Sequence, residues 1–345
     1  MIKQLDPEAQ ALLDVMRATG TPQPYTLSVA QAREQMRAAL IARGEPLALH
    51  DVRDVSLPTA HGGLRLRLYR PGPGERPFAL FLHGGGWTLN DIDTHDRLCR
   101  RIAKRSGWLV ASLDYRRAPE HTHPAPLEDA HLAYRWLLDN AERLQCDPEC
   151  GAIVGESSGA TTVAALTLLL RDLGAPLPSF QALAYPAMDV PGRWPSYRER
   201  GEGYTLDRQF VDWFMKLYLP PGRALSASDT PASAPPPPPA EDPHTDDETP
   251  PLAEWPEQYL FPLAASDLSA LPPALIMTAE FDPLRDEGIA YAERLAAAGV
   301  SVEHLHADDQ MHGFLLLDRG IARAGELIDR LADTLAAHAR RTRTT

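Results

Sequence analysis

Six apolar runs of strand length punctuate the chain, at 78–82, 109–113, 152–154, 180–184, 274–278 and 302–305. Most are separated by stretches in which apolar residues return every three or four positions. In 127–144, Ala130, Ala133, Tyr134, Leu137, Ala141 and Leu144 mark one helix face; after 274–278, Ile289, Ala292 and Ala296 do the same before Gly299. Continuous apolar runs alternating with helices predict parallel strands joined by crossovers, and so a doubly wound α/β sheet. Between 50 and 70 the period changes towards two. Val52, Val55 and Leu57, then Leu64, Leu66 and Leu68 alternating with Arg65 and Arg67, predict an antiparallel pair around a turn at His61, Gly62 and Gly63.

Three segments fall outside this alternation. The first fifty residues read as two amphipathic helices. Leu5, Ala9, Leu12, Leu13 and Met16 follow Asp6 and Pro7, an N-cap and first turn, and Ser28 with Gln31 makes a capping box ahead of Val29, Met36, Leu40 and Ile41, up to Gly44. These helices either pack on the main body or help cover a site. Residues 196–219, with Tyr204, Phe210, Trp213, Phe214, Leu217 and Tyr218, are aromatic-rich, are predicted to be helical and stand where they can join such a cover. Residues 220–255 contain five consecutive prolines, Pro235 to Pro239, among Ala, Ser, Asp and Glu. That composition forms no core and reads as a solvated, partly polyproline surface insertion, idle in preference to a recognition ligand.

At 345 residues the chain can bury a full core as one large or two modest domains. The net charge of −13 says little about partners, because residues 221–256 set seven acidic side chains against Arg223 alone and so hold six of those charges. The body is mildly acidic and has no basic stripe for nucleic acid. Without a run of eighteen apolar residues, and with an N-terminus (MIKQLDPEAQ) that lacks a signal core, the expectation is a cytoplasmic protein with no membrane partner. Cys99, Cys146 and Cys150 are too few for a disulfide framework, and no second Cys or His pair stands at metal-ligand spacing from them.

The chemistry concentrates in CGAIVGESSGAT at 150–161: an apolar segment, a turn with glycines two before and two after Ser157, then an apolar stretch free of glycine from 160 to 170. A strand, a tight turn and a helix in this order let a serine hold the strained backbone that exposes its hydroxyl, with the helix N-terminus aimed at the same spot. Ser157 is therefore the candidate nucleophile, against the plain alternative of a Gly/Ser turn ending a strand. It needs a base and an orienting acid on loops after later strands. His312, in DDQMHGF, lies just past the last predicted strand, whereas His304 and His306 fall within it or at its end, and His121 and His123 have no third ligand to make a metal site. Asp282 follows the strand at 274–278 beside Pro283; Asp286 is expected instead to open the next helix as its N-cap. The order Ser157, Asp282, His312 is that of α/β-hydrolases. The run from Phe78 into His83, Gly84, Gly85, Gly86 and Trp87 supplies backbone donors on a second loop, and it lacks the spacing and lysine of a phosphate loop.

Six motifs occur together and in order: HGGGW (83–87), DYRRAPE (114–120), LEDA (127–130), GESSG (155–159), DPLRDEG (282–288) and MHGF (311–314). From about residue 50 onwards, apart from the Pro-rich insertion, the chain resembles the hormone-sensitive lipase family of α/β-hydrolases, the bacterial type IV carboxylesterases. The resemblance implies an eight-stranded, mostly parallel sheet with helices on both faces and a helical cap. The division it implies is a cap segment at 1–50 and a catalytic domain at 51–345, with 191–219 contributing to the cap and 220–255 a surface insertion. It further implies Ser157 as nucleophile, His312 as base, Asp282 as acid, and an oxyanion hole from the N–H groups of Gly85, Gly86 and Ser158. The chain departs from the family pattern at Ala160, where a further glycine is usual, at Arg117, which replaces an apolar residue, and in the insertion.

The expected activity is carboxylesterase action on short- to medium-chain esters through an acyl-enzyme, with a small-molecule ester as partner and no cofactor or metal. An amidase, lactonase or acyltransferase would share the same residues. Plant hormone receptors of similar sequence lack the triad histidine, which His312 supplies here. A homodimer is kept as a candidate assembly.

Overall fold

Asp6 and Ser28 start the two N-terminal helices. In the computed structural model, which describes residues 3–41, 46–59, 62–220 and 255–342, the Asp6 carboxylate accepts from the amides of Glu8 and Ala9 at the head of α1 (Pro7–Thr19). Ser28 and Gln31 form a reciprocal capping box at the head of α2 (Val29–Leu40). Strands β1 (Asp51–Thr59) and β2 (Gly62–Arg70) then pair antiparallel, Leu57 opposite Leu64. The predicted turn residue His61, like Gly44 and nearly all of the Pro-rich insertion, lies outside the described residues.

The doubly wound part follows as β3 (Arg76–Leu82), α3 (Asp96–Ser106), β4 (Leu109–Asp114), α4 (Ala125–Asp139), α5 (Ala141–Leu144), β5 (Cys146–Glu156), α6 (Ser158–Asp172) and β6 (Phe180–Ala184). After α7 (Ser196–Glu199) and α8 (Arg208–Tyr218), the sheet resumes with β7 (Ala274–Phe281), α9 (Arg285–Ala297), β8 (Val302–Met311) and α10 (Ala322–Thr342). All eight strands lie in one sheet ordered β1-β2-β4-β3-β5-β6-β7-β8, parallel from β4 to β8. This matches the expected architecture. It also brings the carboxyl ends of β3 and β5 side by side, with Leu82 opposite Gly155, and those of β7 and β8 likewise, with Phe281 opposite Met311.

Two apolar layers sandwich the sheet. One joins Leu80, Tyr134, Leu137, Val163, Leu166 and Tyr291; the other joins Phe81, Ile102, Trp108, Val110, Leu327 and Leu331. Helix α6 is buried from Ser158 to Leu170, which explains its lack of a polar face; each buried leucine there stabilises the fold by ~1.5–3 kcal/mol. A third cluster, with Ala32 of α2, Trp87, Leu89, and Phe210, Phe214 and Tyr218 of α8, sits apart from the two sandwich layers.

Several elements differ from the sequence expectation. Strands β5, β7 and β8 run well beyond their apolar cores, because in-register pairing with buried neighbours carries polar residues such as Glu156 and Gln310 along in the ladder. The predicted helix at 127–144 breaks at Asn140, and residues 196–219 form two helices, α7 and α8. Asp286 is not an N-cap. Helix α9 begins at Arg285 behind Leu284, and the Asp286 carboxylate instead accepts from the Ser196 amide at 2.8 Å.

Candidate active site

The turn after β5 is held open by close backbone packing. A side chain at Gly159 would place its Cβ 2.1 Å from the Leu82 carbonyl oxygen, and one at Gly155 would lie 2.6 Å from Gly159. Only glycines allow α6 to approach β3 and β5 this closely, and Ser157 between them takes φ of 53°, the strained conformation expected of it. The extra methyl at Ala160 is fully buried within the helix–sheet packing.

The structure brings the three predicted side chains together. Ser157 Oγ lies 2.9 Å from His312 Nε2, and His312 Nδ1 donates to Asp282 Oδ2 at 2.8 Å. Asp282 is fully buried, and its second oxygen accepts from the Leu284 amide at 2.8 Å, so both oxygens are held. His312 follows β8 directly; its ring meets the Tyr185 ring edge-on at 4.8 Å, and its carbonyl accepts from Thr205 Oγ1 at 2.7 Å. The imidazole is thus fixed from three sides.

Facing Ser157 is the glycine loop. Gly85 and Gly86 take φ of 107° and 60°, and no described residue accepts a hydrogen bond from either amide. Ser158 opens α6, so its amide is one of the free donors of a helix N-terminus. The loop is tied to this helix: the Trp87 amide donates to Ser158 Oγ at 3.1 Å, and Trp87 Nε1 to Thr162 Oγ1 at 3.1 Å, while the Trp87 ring stacks on Tyr218 at 4.0 Å. Phe214 lies so close over Gly86 that a Cβ there would be 2.1 Å from its ring.

Sequence reasoning missed the support around this loop. Glu156, beside the nucleophile, is buried against Gly84 and bonded to His95 Nε2 at 2.9 Å. Burial, the largest single influence, would raise its carboxyl, but the His95 hydrogen bond and charge, together with His312 and the Gly84 amide, outweigh it and hold the group below the usual carboxylate range. His83, the first residue of the glycine motif, is buried and stacked on Tyr115 at 4.1 Å; burial pushes its imidazole well below the ordinary range, so it is a neutral packing element. Arg117 bonds the Asn90 carbonyl, which gives that unusual residue a task in the same loop. From α2, Arg33 donates to the carbonyls of Thr88 and Ala118, each at 2.8 Å, and pairs with Glu120. His304 and His306 are bound to Thr278, away from Ser157, and His123 meets Tyr218. Among the described residues no three His, Cys, Asp or Glu side chains converge as a metal site, and no helix is long and apolar enough to cross a membrane.

Fold and site together define an α/β-hydrolase. The chain belongs to the alpha/beta hydrolase fold family, whose profile matches residues 79–242 and 243–316, and within it to the hormone-sensitive-lipase-like type IV esterases. It is 37% identical over 343 residues to carboxylic ester hydrolase LipN of Mycobacterium tuberculosis, covering 97% of this chain and 83% of that one. It is 34% identical over 348 residues to an ethyl acetate hydrolase of Pseudomonas putida, covering 97% and 99%. An ester hydrolase from the metagenome of Lake Arreo, solved with a bipyridine phosphonate derivative, superposes with a TM-score of 0.85 at 34% identity, over 97% of this chain and 99% of that one.

Proposed function

We propose that the protein is a carboxylesterase in which Ser157 is the nucleophile, His312 the general base and acid, and Asp282 the residue that orients the imidazole. The observation that carries this reading is the unbroken chain from Ser157 Oγ through His312 to buried Asp282, at 2.9 and 2.8 Å. His312 Nε2 takes the Ser157 proton as Oγ attacks the ester carbonyl, and the imidazolium is stabilised by Asp282. Charge building on the carbonyl oxygen is met by the amides of Gly85, Gly86 and Ser158, fixed in advance by the bonds of Trp87. Collapse of the tetrahedral intermediate breaks the bond to the alcohol oxygen, which receives the proton from His312. Water then gives a proton to the same nitrogen as it attacks the acyl carbonyl, and collapse of this second intermediate breaks the Ser157 Oγ–acyl bond, Oγ taking the proton back from His312 as the acid leaves.

The cleft above Ser157 is lined mainly by apolar side chains such as Met36, Leu206, Phe210, Phe214 and Leu260, which favours esters of short to medium chains over charged substrates. The ethyl acetate hydrolase among the relatives supports the same substrate class. Residues 1–50 and 191–219 act as the cap over a catalytic domain at 51–345; the apolar cluster joining α2 and α8 with Trp87 supports this. Cys99, Cys146 and Cys150 are buried and form no disulfide, which accords with a reducing, cytoplasmic setting. A homodimer is proposed as the assembly, to be read by light scattering.

The test is a panel of p-nitrophenyl esters from acetate to palmitate with wild type and Ser157→Ala. Activity on the shorter esters, lost in the variant, is expected. Inert wild type, or full activity in the variant, overturns the assignment.

A further inference from the structure

Leu40 of α2 and Leu316 and Leu317 of the turn after His312 line two cavities at once. One is the cleft over Ser157; the other is lined by Leu12 of α1, Ala38 and Ala39 of α2, Leu98 of α3 and Leu315. Its polar lining comes from Thr94, from Arg97 and Asp318, which are paired with each other at 2.9 Å, and from Arg319 at the exposed rim. The second cavity is thus a groove open to solvent past Ala38 and Ala39, with Leu12, Leu98 and Leu315 as its apolar part, and the same three leucine side chains line both it and the cleft over the reacting centre.

The position of this partition tells which part of an ester would reach it. His312 Nε2 must protonate the departing oxygen, so the alcohol portion lies on the His312 side of Ser157, while Phe214 closes over Gly86 at the glycine loop. Leu316 and Leu317 follow His312 within one short turn, Phe314–Leu316 and the residue after it. Building on the esterase reading, we propose that Leu40, Leu316 and Leu317 set the length of the alcohol portion, and that the open groove behind them is where the tail of a longer primary alkyl alcohol lies once the partition yields. All three leucines are only partly buried, which leaves their side chains room to turn.

The experiment measures kcat/KM by pH-stat on ethyl acetate, octyl acetate and ethyl octanoate for wild type, Leu316→Ala and Leu40→Ala. Cutting the partition from either element is expected to raise the octyl acetate to ethyl acetate ratio at least tenfold, since each methylene taken out of water is worth about fourfold. The ethyl octanoate to ethyl acetate ratio should move less than twofold. Adding Ala39→Trp, which places an indole on the groove at a residue that does not line the cleft over Ser157, should return the first ratio to the wild-type value. Unchanged ratios in both variants, a gain on ethyl octanoate in place of octyl acetate, or a gain that survives Ala39→Trp overturns the proposal. Wild type inert on ethyl acetate and on p-nitrophenyl acetate would instead sink the esterase reading on which it rests.

Discussion

Replacing Arg33 with methionine tests whether the N-terminal helices hold the glycine loop as well as cover it. The substitution keeps an apolar stem and removes a guanidinium that makes four hydrogen bonds: to the Thr88 and Ala118 carbonyls at 2.8 Å each and to the two Glu120 oxygens at 2.7 Å each. A bond from a charged donor to a sheltered carbonyl contributes about 1.5 kcal/mol or more, so the two carbonyls account for about 3 kcal/mol. The Arg33–Glu120 pair adds at most about 1 kcal/mol, because the Glu120 side chain is 55% exposed and screened. A loss of about 3–4 kcal/mol is expected in urea unfolding. The pair also has a pH signature. The Arg33 hydrogen bond holds the Glu120 carboxyl down to about 2, so its contribution is present above the ordinary glutamate range and fades as pH falls towards 2; the variant should lack that acid limb. Thr88 lies two residues beyond Gly86, and a displacement of about 1 Å in an oxyanion donor costs on the order of a hundredfold. We therefore expect kcat on p-nitrophenyl acetate to drop about 10- to 100-fold with KM nearly unchanged, and Arg33→Lys to recover little, since an ammonium cannot make the fork. A variant that loses stability but keeps kcat would refute the coupling between helix and loop.

Gly86→Ala should lower kcat at least a hundredfold, because its Cβ would meet the Phe214 ring at 2.1 Å, and adding Phe214→Ala should restore part of the loss in the same assay. Glu287→Gln probes a buried carboxyl pushed well above its usual range by burial and by the charges of Asp189 and Asp282. The folded state then holds a proton the unfolded chain releases, so wild-type stability should fall as pH rises above the ordinary glutamate range, by up to about 1.4 kcal/mol per pH unit. The glutamine variant should lose that slope in urea titrations at several pH values; parallel curves would contradict a protonated Glu287. Ala160→Gly, which restores the usual family residue, should cost about 1–2 kcal/mol through the lost buried methyl and weaker helix propensity, with kcat little changed.

The motifs around Ser157 and Gly85 were readable along the chain because their requirements are local. A strained serine between close-packed glycines, or free amides on a positive-φ loop, impose residue types on consecutive positions, and apolar runs at strand length report which segments are buried on both faces. His312 and Asp282 were found because strand order converts position after a strand into position at one end of the sheet. What the sequence by itself determined is therefore the layer architecture and the set of candidate reacting residues that the fold brings together. Tertiary structure alone decided their support: Arg33 reaching Thr88, Thr205 holding the His312 carbonyl, His95 facing Glu156, Asp286 bound to Ser196, and three leucines shared by two cavities. The physical reason is that a carbonyl acceptor or a cavity wall places almost no demand on the identity of the residue supplying it. Such contacts leave no periodic or compositional trace and exist only once distant segments are packed together.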